Sequence, residues 1–299
     1  MSAYLFTHFI GEEKDGEQVY FSVSQDGLHW RDLHGGKPVL YATQGTLGVR
    51  DPFLVRDPNN RKVYLIATDL RIEAGKGWHC AEHEGSRDLM VWETEDLIHW
   101  EGPAACTVGC DDAGCVWAPE AIYDEEKKAF FVFFASMVRK PGEEAAKQRI
   151  YSVYTKDFKQ FTKAECYMER ENHVIDTTIL EDGGHYYRIS KDETTKRLIL
   201  EISDSLQGEF EQIPSRFLEE LVGVEGPEGY RLPDGTWCLI ADRFAEGSGY
   251  MPMVTKDLSS GVFEPLSKER YHFGENKKRH GGVLEITDEE YGRLTEFYG

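Results

Sequence analysis

The seven residues TEDLIHW, Thr94 to Trp100, read as the end of a strand, a turn and an aromatic that folds back. Thr94 closes the apolar run DLMVWET. The Asp96 carboxylate can accept from the backbone two residues on, which stabilises a tight turn, and Trp100 can then pack onto the sheet just left. The pattern recurs as SQDGLHW from Ser24, TKDFKQF from Thr155, SDSLQGEF from Ser203 and TKDLSSGVF from Thr255, at spacings of 70, 61, 48 and 52 residues. The fourth copy is degenerate, with Ser205 where the aspartate should stand. Each copy follows an apolar run of strand character: QVYFSVS, RIYSVYT, LILEIS and YMPMVT in the other units. A repeat of this length, built of strands, points to a propeller.

A second series opens each unit: VRDPFLVRD, VWAPEAIYD, VIDTTILED, VEGPEGYRL and RHGGVLEIT. In four units a turn and another strand follow: KVYLIATD, AFFVFFAS, HYYRISKD and TWCLIADR. Each unit therefore reads as an opening strand, a hairpin partner, a third strand and an edge strand ending in the Ser/Thr-x-Asp motif, which makes a four-stranded blade. The fifth unit is split, with AYLFTHFIG and QVYFSVSQDGLHW at the start of the chain and RHGGVLEIT near its end. Joining these pieces completes a blade and removes a free sheet edge. The predicted fold is all-β: a single five-bladed β-propeller over residues 1–299, its last blade closed by the N- and C-terminal strands. One short C-terminal helix is predicted in EITDEEYGRLTEFY, where Thr287 is the N-cap and Tyr291, Leu294 and Phe297 recur at helical spacing.

Charge narrows the partners. A net charge of −20 repels phosphate backbones and anionic lipid, so nucleic acid and membrane surfaces are excluded, whereas a neutral sugar is not disfavoured. No stretch approaches the roughly 18 apolar residues of a membrane-spanning helix. The opening MSAYLFTHFIGEEKDGE lacks a basic segment and its apolar run is broken by Thr7 and His8, so no signal peptide is read and a cytoplasmic place is expected. In that compartment Cys80, Cys106, Cys110, Cys115, Cys166 and Cys238 are expected as reduced thiols. The spacing of Cys106, Cys110 and Cys115 is not that of a zinc site, and they read as small hydrophobes around a loop. His79-Cys80-Ala81-Glu82-His83 spells the H-x-x-E-H metalloprotease pattern, but that chemistry needs a helix. Between Gly75-Lys76-Gly77 and a strand, the segment is expected to be a loop near the channel mouth, lining the site.

The innermost strand of each blade lines the central channel, and residues opening those strands converge on one mouth. Three opening strands carry an acid at the matching place: Asp51 in V-R-D-P, Asp176 in V-I-D-T and Glu225 in V-E-G-P. The second unit has Trp117-Ala118-Pro119-Glu120 there, and the fifth has Arg279-His280-Gly281. The neighbours Val49, Pro52, Phe53, Ile175, Val224 and Pro227 are not those of a solvated loop, and acids in apolar surroundings are expensive unless a site uses them.

These pieces, V-R-D-P-F, W-A-P-E, V-I-D-T-T, V-E-G-P and R-H-G in that order, resemble glycoside hydrolase family 43, the five-bladed propeller glycosidases of the arabinofuranosidase and xylosidase type. The resemblance covers essentially the whole chain. It implies an inverting hydrolase in which Asp51 is the general base, Glu225 the general acid, and Asp176 tunes the acid's pKa and holds the sugar. An inverting pair needs its acid and base about 6.5–9.5 Å apart to admit water, and a like charge near the acid raises its pKa. Trp117 and Phe53 are expected as stacking platforms. Arg243, Arg188 and Glu120 are expected as further polar contacts to the substrate. His280 matches a central-channel histidine of the family, expected near substrate or as one ligand, among waters, of a structural calcium; no cofactor is required for catalysis. The expected substrate is a small oligosaccharide, cleaved by exo action on α-L-arabinofuranosides or β-D-xylosides. Many family β-xylosidases carry a β-sandwich after the propeller, and this sequence stops soon after its fifth unit, which turns the expectation toward arabinofuranosides. An endo-acting α-1,5-L-arabinanase and a non-catalytic sugar-binding propeller are the alternatives.

Overall fold

In the computed structural model, which describes residues 2–299, the strands sort by repeat. The chain starts in the split blade with β1 (Ser2–His8), β2 (Tyr20–Ser24) and β3 (Arg31–Asp32). Blade one follows as β4 (Val49–Arg56), β5 (Val63–Asp69), the helix α1 (Gly77–His83), β6 (Asp88–Thr94) and β7 (Glu101–Thr107). Blade two is β8 (Trp117–Asp124), β9 (Ala129–Val138), β10 (Lys147–Thr155) and β11 (Glu165–Met168). Blade three is β12 (Val174–Asp182), β13 (His185–Asp192), β14 (Arg197–Ser203) and β15 (Glu211–Gln212), followed by α2 (Arg216–Glu220). Blade four is β16 (Glu225–Arg231), β17 (Trp237–Asp242), β18 (Tyr250–Thr255) and β19 (Glu264–Pro265). The chain then returns to the split blade with β20 (Gly281–Thr287) and ends in α3 (Asp288–Tyr298).

Among the described residues these form five four-stranded antiparallel sheets, β4-β5-β6-β7, β8-β9-β10-β11, β12-β13-β14-β15, β16-β17-β18-β19 and β20-β1-β2-β3. The inner strands β4, β8, β12, β16 and β20 each touch the next, and β20 touches β4, so the ring is closed. The middle strands are apolar on both faces because each sheet is packed between two others. β5 (VYLIATD) and β9 (AFFVFFASMV) are buried along their whole length. Aromatics fill the wedges between blades. Tyr64 of blade one meets Phe158 of blade two with ring centres 4.4 Å apart, and Phe130 packs on the same Phe158 at 4.9 Å.

The Ser/Thr-x-Asp motif closes the third strand of each blade, and the edge strand comes after it, not before it as the sequence suggested. At Thr94 the hydroxyl accepts from Leu97 N–H at 3.1 Å, and the Asp96 Oδ1 accepts from Ile98 and His99 N–H at 2.9 and 2.8 Å. The third residue of the turn takes positive φ (Gly27 76°, Leu97 66°, Phe158 54°). The degenerate copy keeps only the hydroxyl part, with Ser205 N–H bonded to Ser203 Oγ.

Two other readings are corrected. The H-x-x-E-H segment is the helix α1, with the His79 and His83 rings 4.7 Å apart, rather than a loop. In α3, Thr287 caps the helix in a complete capping box with Glu290 and Leu294 is fully buried, but Phe297 is 60% exposed. The helix lies over the seam between the split blade and blade one, where Arg56 reaches Glu290 at 3.0 Å. No helix among the described residues is long and apolar enough to cross a membrane.

Burial pushes the Asp96 carboxyl up, but hydrogen bonds from the His99 ring and from the His99 and Ile98 N–H groups outweigh it and hold it far below the usual 3.8. A carboxylate depressed in the fold adds stability above its unfolded pKa and loses it as pH falls. Asp96→Asn should therefore lower Tm at pH 7, and the gap to wild type should shrink as pH drops below 3.8. Thermal unfolding across that range checks it; a gap constant with pH would refute it.

Candidate active site

Four of the five inner strands bulge near their start. The register with the second strand slips between Arg50 and Phe53, Trp117 and Glu120, Ile175 and Thr177, and Glu225 and Glu228. One residue in each bulge has positive φ: Asp51 (51°), Ala118 (47°), Asp176 (46°) and Gly226 (53°). Asp51 and Asp176 are thus true equivalents, while Glu225 precedes the bulge residue of its strand and is equivalent to Arg50, Trp117 and Ile175. Left-handed backbone is strained for a residue with a Cβ, and glycine is required at 226, where a Cβ would stand 2.6 Å from the His280 ring.

The bulges open onto a cavity of about 390 Å³ at one mouth of the channel, lined by all three acids, Trp117 and His280. Thr68 of β5 donates to Asp51 Oδ2 at 2.9 Å, and Gly226 N–H to Asp176 Oδ2 at 3.2 Å. His280, which immediately precedes β20, sets its Nδ1 3.5 Å from Asp51 and 3.7 Å from Asp176. Glu225 is clasped on both oxygens. Lys191 of β13 donates to Oε2 and Arg279 to Oε1, each at 2.9 Å. Arg279 also donates to Asp242 of β17 at 2.6 Å.

Electrostatics divide the acids. Burial pushes the Asp176 carboxyl up to about 6 against the pull of His280 and Lys191, with the Glu225 and Asp51 charges adding to the rise. Burial also acts to raise Glu225, but Lys191 and Arg279, with His280, outweigh it and bring the carboxyl down to about 2. The sequence reading expected a neighbouring acid to keep Glu225 protonated. In the resting site its two cations win and it is a carboxylate.

Of the other predicted contacts, Trp117 lines the cavity, with the Trp78 ring of α1 edge-on to it at 6.2 Å. Phe53 does not reach the cavity; it packs against the core between blades one and two and against Gly282. Arg188 is buried in blade three, paired to Glu201 at 2.9 Å and stacked over Phe210 at 4.0 Å. Arg243 turns to Glu246 in the bend after β17. Glu120 lies further along its strand than the cavity, at the place matching Glu228 of blade four. Burial pushes both carboxyls up, Glu228 to about 8. Among the described residues no group of three or more His, Cys, Asp or Glu side chains could hold a metal ion, and His280 faces two carboxylates, Asp51 and Asp176. All six cysteines are free thiols.

Lys191, Glu193, Phe244 and Trp78 also line the cavity and escaped the sequence reading as site residues, while Glu82 brings the His79–His83 segment to the cavity as expected. The hairpin register carried a signal for one of them: Lys191 pairs with Ile175, directly before the bulge, as Asp242 pairs with Glu225. The segment leading into α1 is anchored by buried Glu17, whose carboxylate accepts from the N–H groups of Ile72 and Glu73 and from Arg50. Arg50 in turn lies over the Trp78 ring at 4.9 Å.

A family model described as "Probable glycosyl hydrolase domain", the family-43-related group, matches residues 1–292. An α-L-arabinofuranosidase of Bifidobacterium longum subsp. longum is 29% identical over 93% of this chain, which spans 30% of that protein's length. An endo-1,4-β-xylanase structure from Bacteroides thetaiotaomicron superposes with a TM-score of 0.59 at 14% identity, covering 89% of this chain and 90% of that one. A thermostable family-43 glycoside hydrolase gives 0.54 at 17% identity over 80% and 77% of the two chains. The family-93 α-L-arabinofuranosidase of Fusarium graminearum with arabinobiose gives 0.57 at 14% identity over 91% and 79%. These superpositions establish the fold.

Asp176 carries a stability consequence. Its folded pKa of about 6 lies above the ordinary 3.8, so its ionisation weakens the fold as pH rises through that window. Asp176→Asn should raise stability above pH 6 by on the order of 1–3 kcal/mol, with the gain fading below about pH 4. Unfolding curves at pH 4 and pH 8 check this; a variant less stable than wild type at pH 8 would count against it.

Proposed function

The chain belongs to the family-43-related glycosyl hydrolase domains, and from that premise we propose that it is an inverting glycosidase, exo-acting on α-L-arabinofuranosides, with β-D-xylosides as the second substrate class. The observation that carries the reading is the convergence of Asp51, Asp176 and Glu225 on one cavity, with His280 between the two aspartates.

Each group has a task its surroundings suit. Asp51 has one oxygen held by Thr68 and the other facing His280, which aims it as the base that takes a proton from water. Glu225 stands on a different blade and would deliver a proton to the leaving oxygen; acid and base on separate blades leave room for the water that inversion requires. Asp176, held by the Gly226 N–H, is part protonated near neutral pH and can either donate to or accept from a sugar hydroxyl. Trp117 and Trp78 offer apolar faces to the ring.

Cavity shape and charge narrow the substrate. α1 walls one side of the cavity with Trp78 and Glu82, which supports a bounded site and exo action. Asp51, Glu82, Asp176, Glu193 and Glu225 outnumber Arg50, Lys191 and Arg279 around it, which disfavours acidic sugars and suits neutral ones. The name of the Bifidobacterium relative favours arabinofuranosides.

Turnover of a panel of aryl glycosides tests the proposal. Asp51→Asn should lower kcat by about 100- to 10,000-fold while the protein stays folded. Glu225→Gln should lose most on poor leaving groups and less on activated ones, which depart with little acid help. Linear arabinan should release only the monosaccharide; longer products would favour endo action. Wild type inactive on every glycoside, or Asp51→Asn as fast as wild type, would sink the glycosidase reading in favour of sugar binding alone.

A further inference from the structure

Resting on that reading, Glu225 poses a difficulty: a general acid must carry a proton, yet both its oxygens accept from cations. The surroundings of one of those cations offer a resolution. Lys191 is 3% exposed at its side chain, and its ammonium lies over the Phe244 ring at 4.5 Å. It donates to Glu225 Oε2 at 2.9 Å. A second carboxylate oxygen, Glu193 Oε2, lies only 2.7 Å from the same nitrogen. That oxygen is buried, and the ammonium of Lys191 is paired with it as closely as with Glu225. The ammonium rides on a flexible four-carbon stem, so a small swing of that stem draws Nζ away from Glu225 and toward Glu193.

We propose that Lys191 is a positioning residue that holds Glu225 in the resting site and passes to Glu193 when substrate enters, freeing Glu225 to take up the proton it delivers to the leaving oxygen. Glu193 is the receiving seat. The proton comes from solvent, and hydrolysis returns one when Asp51 deprotonates the attacking water, so the cycle balances.

The remaining groups around Glu225 do not provide such a movement. Arg279 is tied to Asp242 at 2.6 Å as well as to Glu225, and its NH1 lies 4.0 Å from Glu12. Asp242 is fully buried and fixed in the β16–β17 pairing. His280 is committed to Asp51 and Asp176. Asp242 also leaves its Oδ1 without a hydrogen bond beside Arg279, but it is held in the strand pairing, whereas Glu193 stands just past the end of β13 with its side chain part-exposed.

The test is the pair of pH profiles, of kcat/KM for the free enzyme and kcat for the complex, on a glycoside with a poor leaving group. In wild type the descending limb of kcat should lie at higher pH than that of kcat/KM. Lys191→Met should move the kcat/KM limb up by about one unit or more, bringing the two together. Glu193→Gln, which weakens the alternative seat, should move the kcat limb down instead. Lys191→Arg, which keeps the charge, should hold the kcat/KM limb near that of wild type. Losses of rate with limbs unmoved, or both variants shifting in the same direction, would overturn the proposal while leaving the glycosidase reading intact. Should wild type cleave no glycoside, that reading fails on its own, and the carboxyl of ¹³C-labelled Glu225 is titrated directly. A Glu225 that titrates alike in wild type and Lys191→Met would overturn the coupling. A folded Lys191→Met is confirmed by thermal unfolding, and Glu193→Gln supplies the opposite arm from a part-exposed position.

Discussion

The site rests on how the ring is closed. β1 is hydrogen-bonded on both edges, to β2 over Tyr4–His8 and to β20 over its full length, Ser2 with Thr287 through to His8 with Gly281. This ladder joins the two ends of the described chain into one blade and brings β20 against β4. It also delivers the last pieces of the site. Arg279 donates its backbone N–H to Phe9 O at 3.0 Å just beyond the β1 ladder, so the segment before β20 enters the channel mouth at a fixed height. His280 can then reach Asp51 and Asp176 on blades one and three, and Arg279 can reach Glu225 and Asp242 on blade four. Without that pairing the three acids would face a mouth open on one side.

Packing so many carboxylates into one mouth would be unfavourable if all ionised alike. The surroundings separate them instead, which is how one site holds acid and base functions together. Glu225, with a cation on each oxygen, falls to about 2, while Asp176 and Asp242, more deeply buried, rise to about 6. Each ionisation discourages the next, so the cluster titrates as a unit rather than as independent groups. Asp242 shows the strain of the arrangement, with Oδ1 buried and without a hydrogen-bond partner while Oδ2 binds Arg279. A buried oxygen without a partner costs stability.

Much of this was legible in the sequence because it is local and repeated. Five copies of a strand-turn motif announce five blades, and the opening strands announce the acids. What could not be read was set by the third dimension. One miss was not of that kind: V-E-G-P aligned residue for residue with V-R-D-P already sets Gly226, not Glu225, level with Asp51, as the backbone does, and the sequence reading treated Glu225 as the equivalent. Arg188 and Arg243 lie in strand and turn sequences that look like site edges, but side-chain direction sends one under Phe210 and the other to Glu246. Lys191 follows Arg188 by three residues, an odd step, so the two project to opposite faces of β13; a reading by proximity chose the wrong one. α1 was missed because its flanking glycines argue for a loop; seven residues are too few to stand on helix propensity, and what Glu17 fixes is the segment leading into them, through the N–H groups of Ile72 and Glu73.

The same register rule shows why the polar groups of the mouth are tolerated by a fold made mostly of apolar strands. Nearly every bond in the site crosses a seam. Ala118 N–H of blade two donates to Thr68 of blade one at 2.8 Å, and Gly226 N–H of blade four donates to Asp176 of blade three. Lys191 of blade three reaches Glu225 of blade four, and Arg279 reaches back from the split blade to blade four. His280 spans from the split blade to blades one and three. Apolar wedges are non-directional and would let neighbouring blades slide; charge-assisted hydrogen bonds are directional and short. The polar cluster around the three acids is therefore also the set of stitches that fixes the blades at their inner ends. A buried acid here satisfies two demands at once, and the geometry between Asp51 and Glu225 is held by the ring as a whole rather than by either blade alone.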